Sequence, residues 1–128
     1  MTRGLADTSL FIAGESGRQI EADRLPDDLA VSVITIGELR AGVLSAADTA
    51  TRDRRLSTLV AAQVVRAMPI DESTADAWAR LRVALRDLGR KMPVNDSWIA
   101  ATAVALAVPV VTQDDDYDNV PDLDVIKV

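Results

Sequence analysis

Five acidic side chains, Asp7, Glu38, Asp96, Asp114 and Asp116, are the residues of this sequence whose type and placement could do chemistry. The chain contains no histidine and no cysteine. That excludes Ser-His-Asp triads, paired-histidine chemistry, thiolate metal sites and nearly every zinc site. What remains must run on carboxylates, hydroxyls, lysine, arginine or a bound hard cation. Carboxylates crowded together repel one another, and burial raises the cost. They stay ionised together when a cation neutralises them. An all-oxygen donor set favours Mg2+ or Mn2+, and such an ion with open water positions suits hydrolysis or transfer at phosphorus.

Each acid also has a plainer reading. Glu38 closes "TIGE", a T-x-x-E capping box that would only satisfy backbone N–H groups. Asp96 follows Asn95, and either would serve as an N-cap. Asp7 in "DTS" is more telling, because a charge flanked by Leu5 and Leu10 needs compensation. In "TQDDDYDN", Asp115 and Asp118 are expected to be solvated. Asp114, Asp116 and Asp118 also match the start of a calcium-binding EF-hand loop. That reading fails because Asn119 stands where Gly is needed and Val125 where Glu is needed.

The elements that must position these acids follow from the hydrophobic pattern. Residues 3–7 read as a weak strand, followed by a short helix from "SLFIA" and a Gly- and charge-rich loop to about Asp28. "LAVSVIT" (29–35) reads as a buried strand. It is followed by a helix with Ile36, Leu39 and Val43 on one face. A second helix is expected from Asp48 to Gln63, with Leu56, Leu59 and Val60 inward and Arg52, Arg54 and Arg55 outward. "VVRAMPI" (64–70) reads as a strand whose Pro69 favours a sheet edge. Trp78, Leu81, Leu85 and Leu88 mark the clearest helix, which Gly89 and Pro93 stop. An Ala-rich helix to Ala107 and strands at 108–112 and 123–128 complete the chain. Alternating strands and helices predict an α/β fold with a mainly parallel sheet. In such a sheet, strand C-termini and the following helix N-termini share one edge, where active sites form. Asp7, Glu38, Asp114 and Asp116 fall at such places; Asp96 fits less directly, because no strand is evident before it, but it starts a helix, a good place for an anion.

Composition sets the bounds. At 128 residues, with 48% apolar and 27% charged, the chain is expected to form one globular domain. Aromatic residues are only 3%, so Ala, Val, Leu and Ile must build the core. The longest nearly apolar stretch, Trp98 to Val111, is too short to span a bilayer. Asp7 stands where a signal peptide would have its apolar centre, so a cytoplasmic location is expected. The net charge of −6 argues, taken alone, against nucleic acid as a partner.

Four stretches, "LADTSLFI", "VSVITIGELRAGV", "PVNDSWIAATA" and "PVVTQDDDYD", occur in an order and at spacings that resemble the PIN-domain family, most closely the toxin ribonucleases of bacterial VapBC toxin–antitoxin systems. The resemblance covers essentially the whole chain. It implies a three-layer α/β/α sandwich, a Mg2+ or Mn2+ cofactor, cleavage of single-stranded RNA segments, homodimerisation, and inhibition by a cognate antitoxin. Residue by residue, Asp7, Glu38, Asp96 and Asp114 match the family's four acids, and Asp116 sits where a further acid is often found. Tyr117 departs from the usual Phe. Thr8, Ser9 and Thr112 would orient ligands or waters. Arg82, Arg86 and Arg90, at i, i+4 and i+8 with Lys91 next, form either a stripe for an RNA backbone or an ordinary solvated helix face.

Three rivals remain on the residues alone. A receiver-like phosphoryl-transfer domain would want an acidic pair after the first strand, where Asp7 is single, and a Lys after a late strand, where Lys127 is at the extreme end. A haloacid-dehalogenase-type phosphatase would want D-x-D where "DTS" stands. A catalytically inactive PIN-like domain that only binds a protein partner would not need all of the acids.

Overall fold

The computed structural model describes residues 1–128 and alternates strands and helices along the chain. The strands are β1 (Arg3–Ala6), β2 (Asp28–Ser32), β3 (Arg66–Met68), β4 (Val110–Thr112) and β5 (Val125–Lys127). The helices are α1 (Thr8–Ser16), α2 (Val33–Leu44), α3 (Thr49–Gln63), α4 (Glu72–Asp87) and α5 (Val94–Leu106), with one 3-10 turn at Ala22–Arg24. All pairings are parallel, and the strand order is β3-β2-β1-β4-β5. The chain therefore winds outward from β1 to one edge, then restarts at β4 on the other side of β1. The crevice between β1 and β4 is the topological switch point, where open parallel sheets bind ligands. Pro69 does follow an edge strand, as its missing N–H demands.

Side-chain alternation along β1 and β4 divides the core. Leu5 pairs with Val110 and Ala6 with Val111. Leu5 and Val110 face α4 and α5, packing with Leu81, Leu85, Ile99 and Tyr117. Ala6 and Val111 face α1 through Leu10 and Phe11. Helices therefore cover both faces, and the fold is the three-layer sandwich expected. A smaller cluster of Leu39, Val43, Leu59 and Ala62 joins α2 to α3. Each large apolar side chain taken fully from water contributes about 1.5–3 kcal/mol. No helix is long and apolar enough to cross a membrane.

Several boundaries differ from the sequence pattern, for local reasons. The strand expected over 29–35 ends at Ser32, whose Oγ accepts from Ile34 N at 3.1 Å and caps α2. The β-branched run after it is helical because Thr35, Leu39 and Val43 form its buried stripe. Leu56 and Val60 are 44% and 52% exposed rather than inward, so Leu59 alone of the three enters the core. Leu88 is the C-cap of α4 and is also exposed, since the helix ends before its side chain can turn inward.

Gly4 is fixed by close approach. A Cβ there would lie 2.7 Å from Val111 Cγ2 and 2.9 Å from Pro26 Cγ. Both are inside normal contact, and Val111 is itself buried. Gly4→Ala is expected to destabilise the chain by about 1–3 kcal/mol, read as a lower urea midpoint at unchanged slope. An unchanged midpoint would show that the strand shifts freely.

Candidate active site

The acid cluster is built from the residues immediately beyond β1 and β4. Asp7 ends β1 and caps α1, accepting from Ser9 N at 3.3 Å. It is only 1% exposed, so its charge must be met inside the protein. Thr112 Oγ1 donates to Asp7 Oδ2 at 2.9 Å, and Tyr117 Oη donates to Asp7 Oδ1 at 2.9 Å. Thr112 Oγ1 in turn accepts from Asp114 N at 2.9 Å and lies 3.2 Å from Ser9 Oγ. Ser9 Oγ accepts from Gln113 N at 3.0 Å. Thr112 and Ser9 thus lock the start of the Asp114 loop to the end of β1. No buried side-chain polar atom is left without a partner.

Asp96 reaches the same place from α5. Pro93 is the N-cap of that helix, with no side-chain cap, so neither Asn95 nor Asp96 does the capping expected of them. Asp96 lies in the first turn, where a carboxylate is favoured by the helix dipole. Its Oδ1 is 3.3 Å from Tyr117 Oη. The Asp96 carboxyl is pushed up to about 7. Burial is the main cause, followed by the hydrogen bond with Asp116 and the charges of Asp7 and Asp116; the Tyr117 hydroxyl opposes them. Asp114 is also raised, by burial first and then by Asp7 and Asp116, against the pull of Arg18.

Four of the five acids singled out in the sequence therefore lie near one another, with Asp7 and Asp116 acting on both Asp96 and Asp114. Glu38 stands to one side. It accepts from Thr8 Oγ1 at 2.8 Å, and that oxygen is 2.9 Å from Thr35 Oγ1. Because α2 begins at Val33 with Ser32 as its cap, "TIGE" is not a capping box and Glu38 is free of that duty. Thr8 follows Asp7 directly, so one dipeptide addresses both sides of the site.

Asp115 is solvated as expected, with its side chain 89% exposed, and Asp118 is partly so; both also meet a lysine. Lys127 Nζ binds Asp115 and lies 3.2 Å from Asp118, tying the acid loop to β5. Arg90 Nη2 donates to the Asp116 carbonyl at 3.1 Å, tying the same loop to the end of α4. Arg82, Arg86, Arg90 and Lys91 line one cleft of about 400 Å3 at that helix end. Arg82 also lies 5.3 Å over the Trp78 ring, which stacks on Trp98 with centroids 4.3 Å apart. Sequence reasoning missed three of these features: the Lys127 clasp, the Arg90 tie and the Tyr117 hydroxyl. The only signal for the last was a lone tyrosine placed among aspartates.

The donor set fits a hard divalent cation. Burial and the neighbouring charges of Asp7 and Asp116 raise the proton affinity of Asp96 and Asp114, and a cation can meet the same charge. As they stand, no three of them close on one point. The Tyr117 hydroxyl lies between two.

A parallel α/β sandwich with acids gathered at its switch point defines a class of hydrolytic and phosphoryl-transfer sites. Comparison with known proteins narrows that class. The PIN domain family matches residues 5–123, and the chain belongs to that family. It is similar to ribonuclease VapC5 of Mycobacterium tuberculosis, with 47% identity covering 98% of this chain and 95% of that protein. Ribonuclease VapC4 of the same organism is 48% identical over 98% and 97%. Among solved structures, VapBC-5, a member of the VapBC family of toxin–antitoxin systems from M. tuberculosis, superposes with a TM-score of 0.92 at 43% identity, covering 100% of both chains.

Proposed function

We propose that this PIN-domain protein is an endoribonuclease, the toxin of a toxin–antitoxin pair, and that it hydrolyses RNA phosphodiester bonds with Mg2+ or Mn2+. The observation that carries this is the gathering of Asp7, Asp96, Asp114 and Asp116 around the ends of β1 and β4, where burial first, and then the hydrogen bond with Asp116 and the charges of Asp7 and Asp116, hold Asp96 near 7. Its relatives named as ribonucleases support the substrate class. The VapBC neighbour supports an antitoxin partner of the VapB type, and a homodimer is part of the same proposal.

Asp7, Asp96 and Asp114, with Asp116 beside them, would hold the cation, which when bound acidifies water and neutralises charge at phosphorus. The chain's own groups do the positioning. Thr112 and Ser9 fix Asp7, so one acid of the set is rigid before substrate arrives. Thr8 aims Glu38 from the α2 side. Asp116, exposed beside Asp96, would complete the set or take the proton of the attacking water. Hydrolysis adds water across the P–O3′ bond, leaving a 5′-phosphate and a 3′-hydroxyl.

The net charge of −6 is not uniform, because the cleft at the end of α4 gathers four cations beside the acid loop. Arg82 is engaged with Trp78 and Arg90 with the Asp116 carbonyl, while Arg86 meets only the exposed Asp87 at 3.4 Å, so Arg86 and Lys91 are the cations proposed for phosphates. In an inactive background, Arg86→Gln with Lys91→Gln is expected to weaken binding of single-stranded RNA whatever its sequence. The slope of log affinity against log salt should fall by about 0.7 per lost contact. An unchanged slope would return these residues to the solvated helix face.

Purified protein incubated with structured cellular RNA tests the main reading. Cleavage should require Mg2+ or Mn2+, stop with EDTA and slow by a factor on the order of 10² to 10³ on Asp96→Asn. Cleavage indifferent to EDTA would overturn it.

A further inference from the structure

The hydroxyl of Tyr117 is not needed for packing. The ring is fully buried with Leu5, Leu81, Ile99 and Val110, a place that Phe would fill equally well. The oxygen is instead shared between two acids from distant elements, 2.9 Å from Asp7 Oδ1 and 3.3 Å from Asp96 Oδ1. It lies between the two carboxylates, and in this arrangement no three of the acids converge. Asp7 Oδ2 is already held by Thr112 and Ser9, so Oδ1 is the oxygen with the most freedom to change partner.

We propose that Tyr117 is a positioning residue that bridges Asp7 and Asp96 while no cation is bound and releases at least one of them on loading. The inference rests on the cation-site reading above. By linkage, whatever the bridge contributes to the free state is subtracted from the affinity for the cation. A hydrogen bond to a charged group contributes enough to change that affinity about tenfold. Tyr117 thereby raises the cation concentration at which the site fills.

Tyr117→Phe keeps the ring and removes only the bridge. Calorimetric titration with Mn2+ should show the variant binding about tenfold more tightly than the parent. Its melting temperature should be lower without metal and should rise further on saturation. An unchanged affinity would reduce the hydroxyl to a packing accessory, and a weaker one would make it a support of the loaded site; either result overturns the proposal. Tyr117 is the chain's one tyrosine, so the tyrosine Fermi doublet in ultraviolet resonance Raman reports this hydroxyl alone. Saturating the parent protein with Mg2+ should change the doublet, and an unaltered doublet overturns the proposal however the variant folds. Neither measurement involves RNA. Tighter Mn2+ binding by the variant with RNA left uncut would uphold the bridge and remove the nuclease reading.

Discussion

Asp96→Asn is expected to slow Mg2+-dependent RNA cleavage by a factor on the order of 10² to 10³ and to raise the melting temperature of the metal-free chain at pH 8. The two effects have one cause. Asp96 is half-buried beside Asp7 and Asp116, and its charge is opposed by desolvation and by both neighbours. An amide is nearly the same shape and still accepts from Tyr117, but it carries no charge to repel or to hold a cation. Without metal it relieves strain; with metal it removes a proposed ligand. Such opposition between stability and activity is the mark of a functional residue rather than a structural one. Cleavage within about tenfold of the parent would sink the assignment. Lost cleavage with a lower melting temperature would show that Asp96 supports the fold.

The metal-free protein is expected to lose stability as pH rises from about 4 to about 7. Most proteins gain or hold stability over that range, so the sign is diagnostic. Asp96 titrates near 7 in the folded chain and near its ordinary 3.8 when unfolded. Between those values the folded state binds more protons than the unfolded state. Its contribution is therefore fully present below about 4 and is lost as pH passes through 7. Asp114 is shifted in the same direction. Allowing for the half-exposed position, the loss is on the order of 1–2 kcal/mol, or about 5 °C. Asp48 and Asp71 run the other way, held low by the N–H groups of Thr51 and Thr74 that they cap. Their contribution disappears only at more acid pH, so the two regimes separate. Melting curves from pH 5 to pH 8 should fall without metal and flatten with saturating Mg2+, which replaces protons as the neutralising charge. Asp96→Asn should flatten the metal-free curve. A metal-free curve that rises across this range would contradict the clustering of the acids.

Much of this was legible in the residues alone. Lack of histidine and cysteine left carboxylates as the chemistry, and the alternation of strands and helices sent Asp7, Asp96 and Asp114 to one edge. That inference works because a parallel sheet has only one C-terminal edge, whatever the strand order. The hydrophobic spacing of α4 and the span of α3 were equally plain, since both are local signals.

Other features depended on where side chains point, which sequence neighbours do not determine. "TIGE" reads as a helix start until Ser32 is seen capping α2, and Asn95–Asp96 reads as a cap until Pro93 takes that position. Asp115 and Asp118 are solvated as they look, but that β5 brings Lys127 beside them is not visible in the sequence. The sequence by itself determined the fold class, the acids available for chemistry and the edge of the sheet where they gather, because composition, periodicity and strand polarity are properties of the chain. Only the tertiary structure decided that β1 and β4 are neighbours and that the Tyr117 hydroxyl lies between Asp7 and Asp96. Those contacts join residues about a hundred positions apart, and packing of the whole core, rather than any local preference, sets their distance.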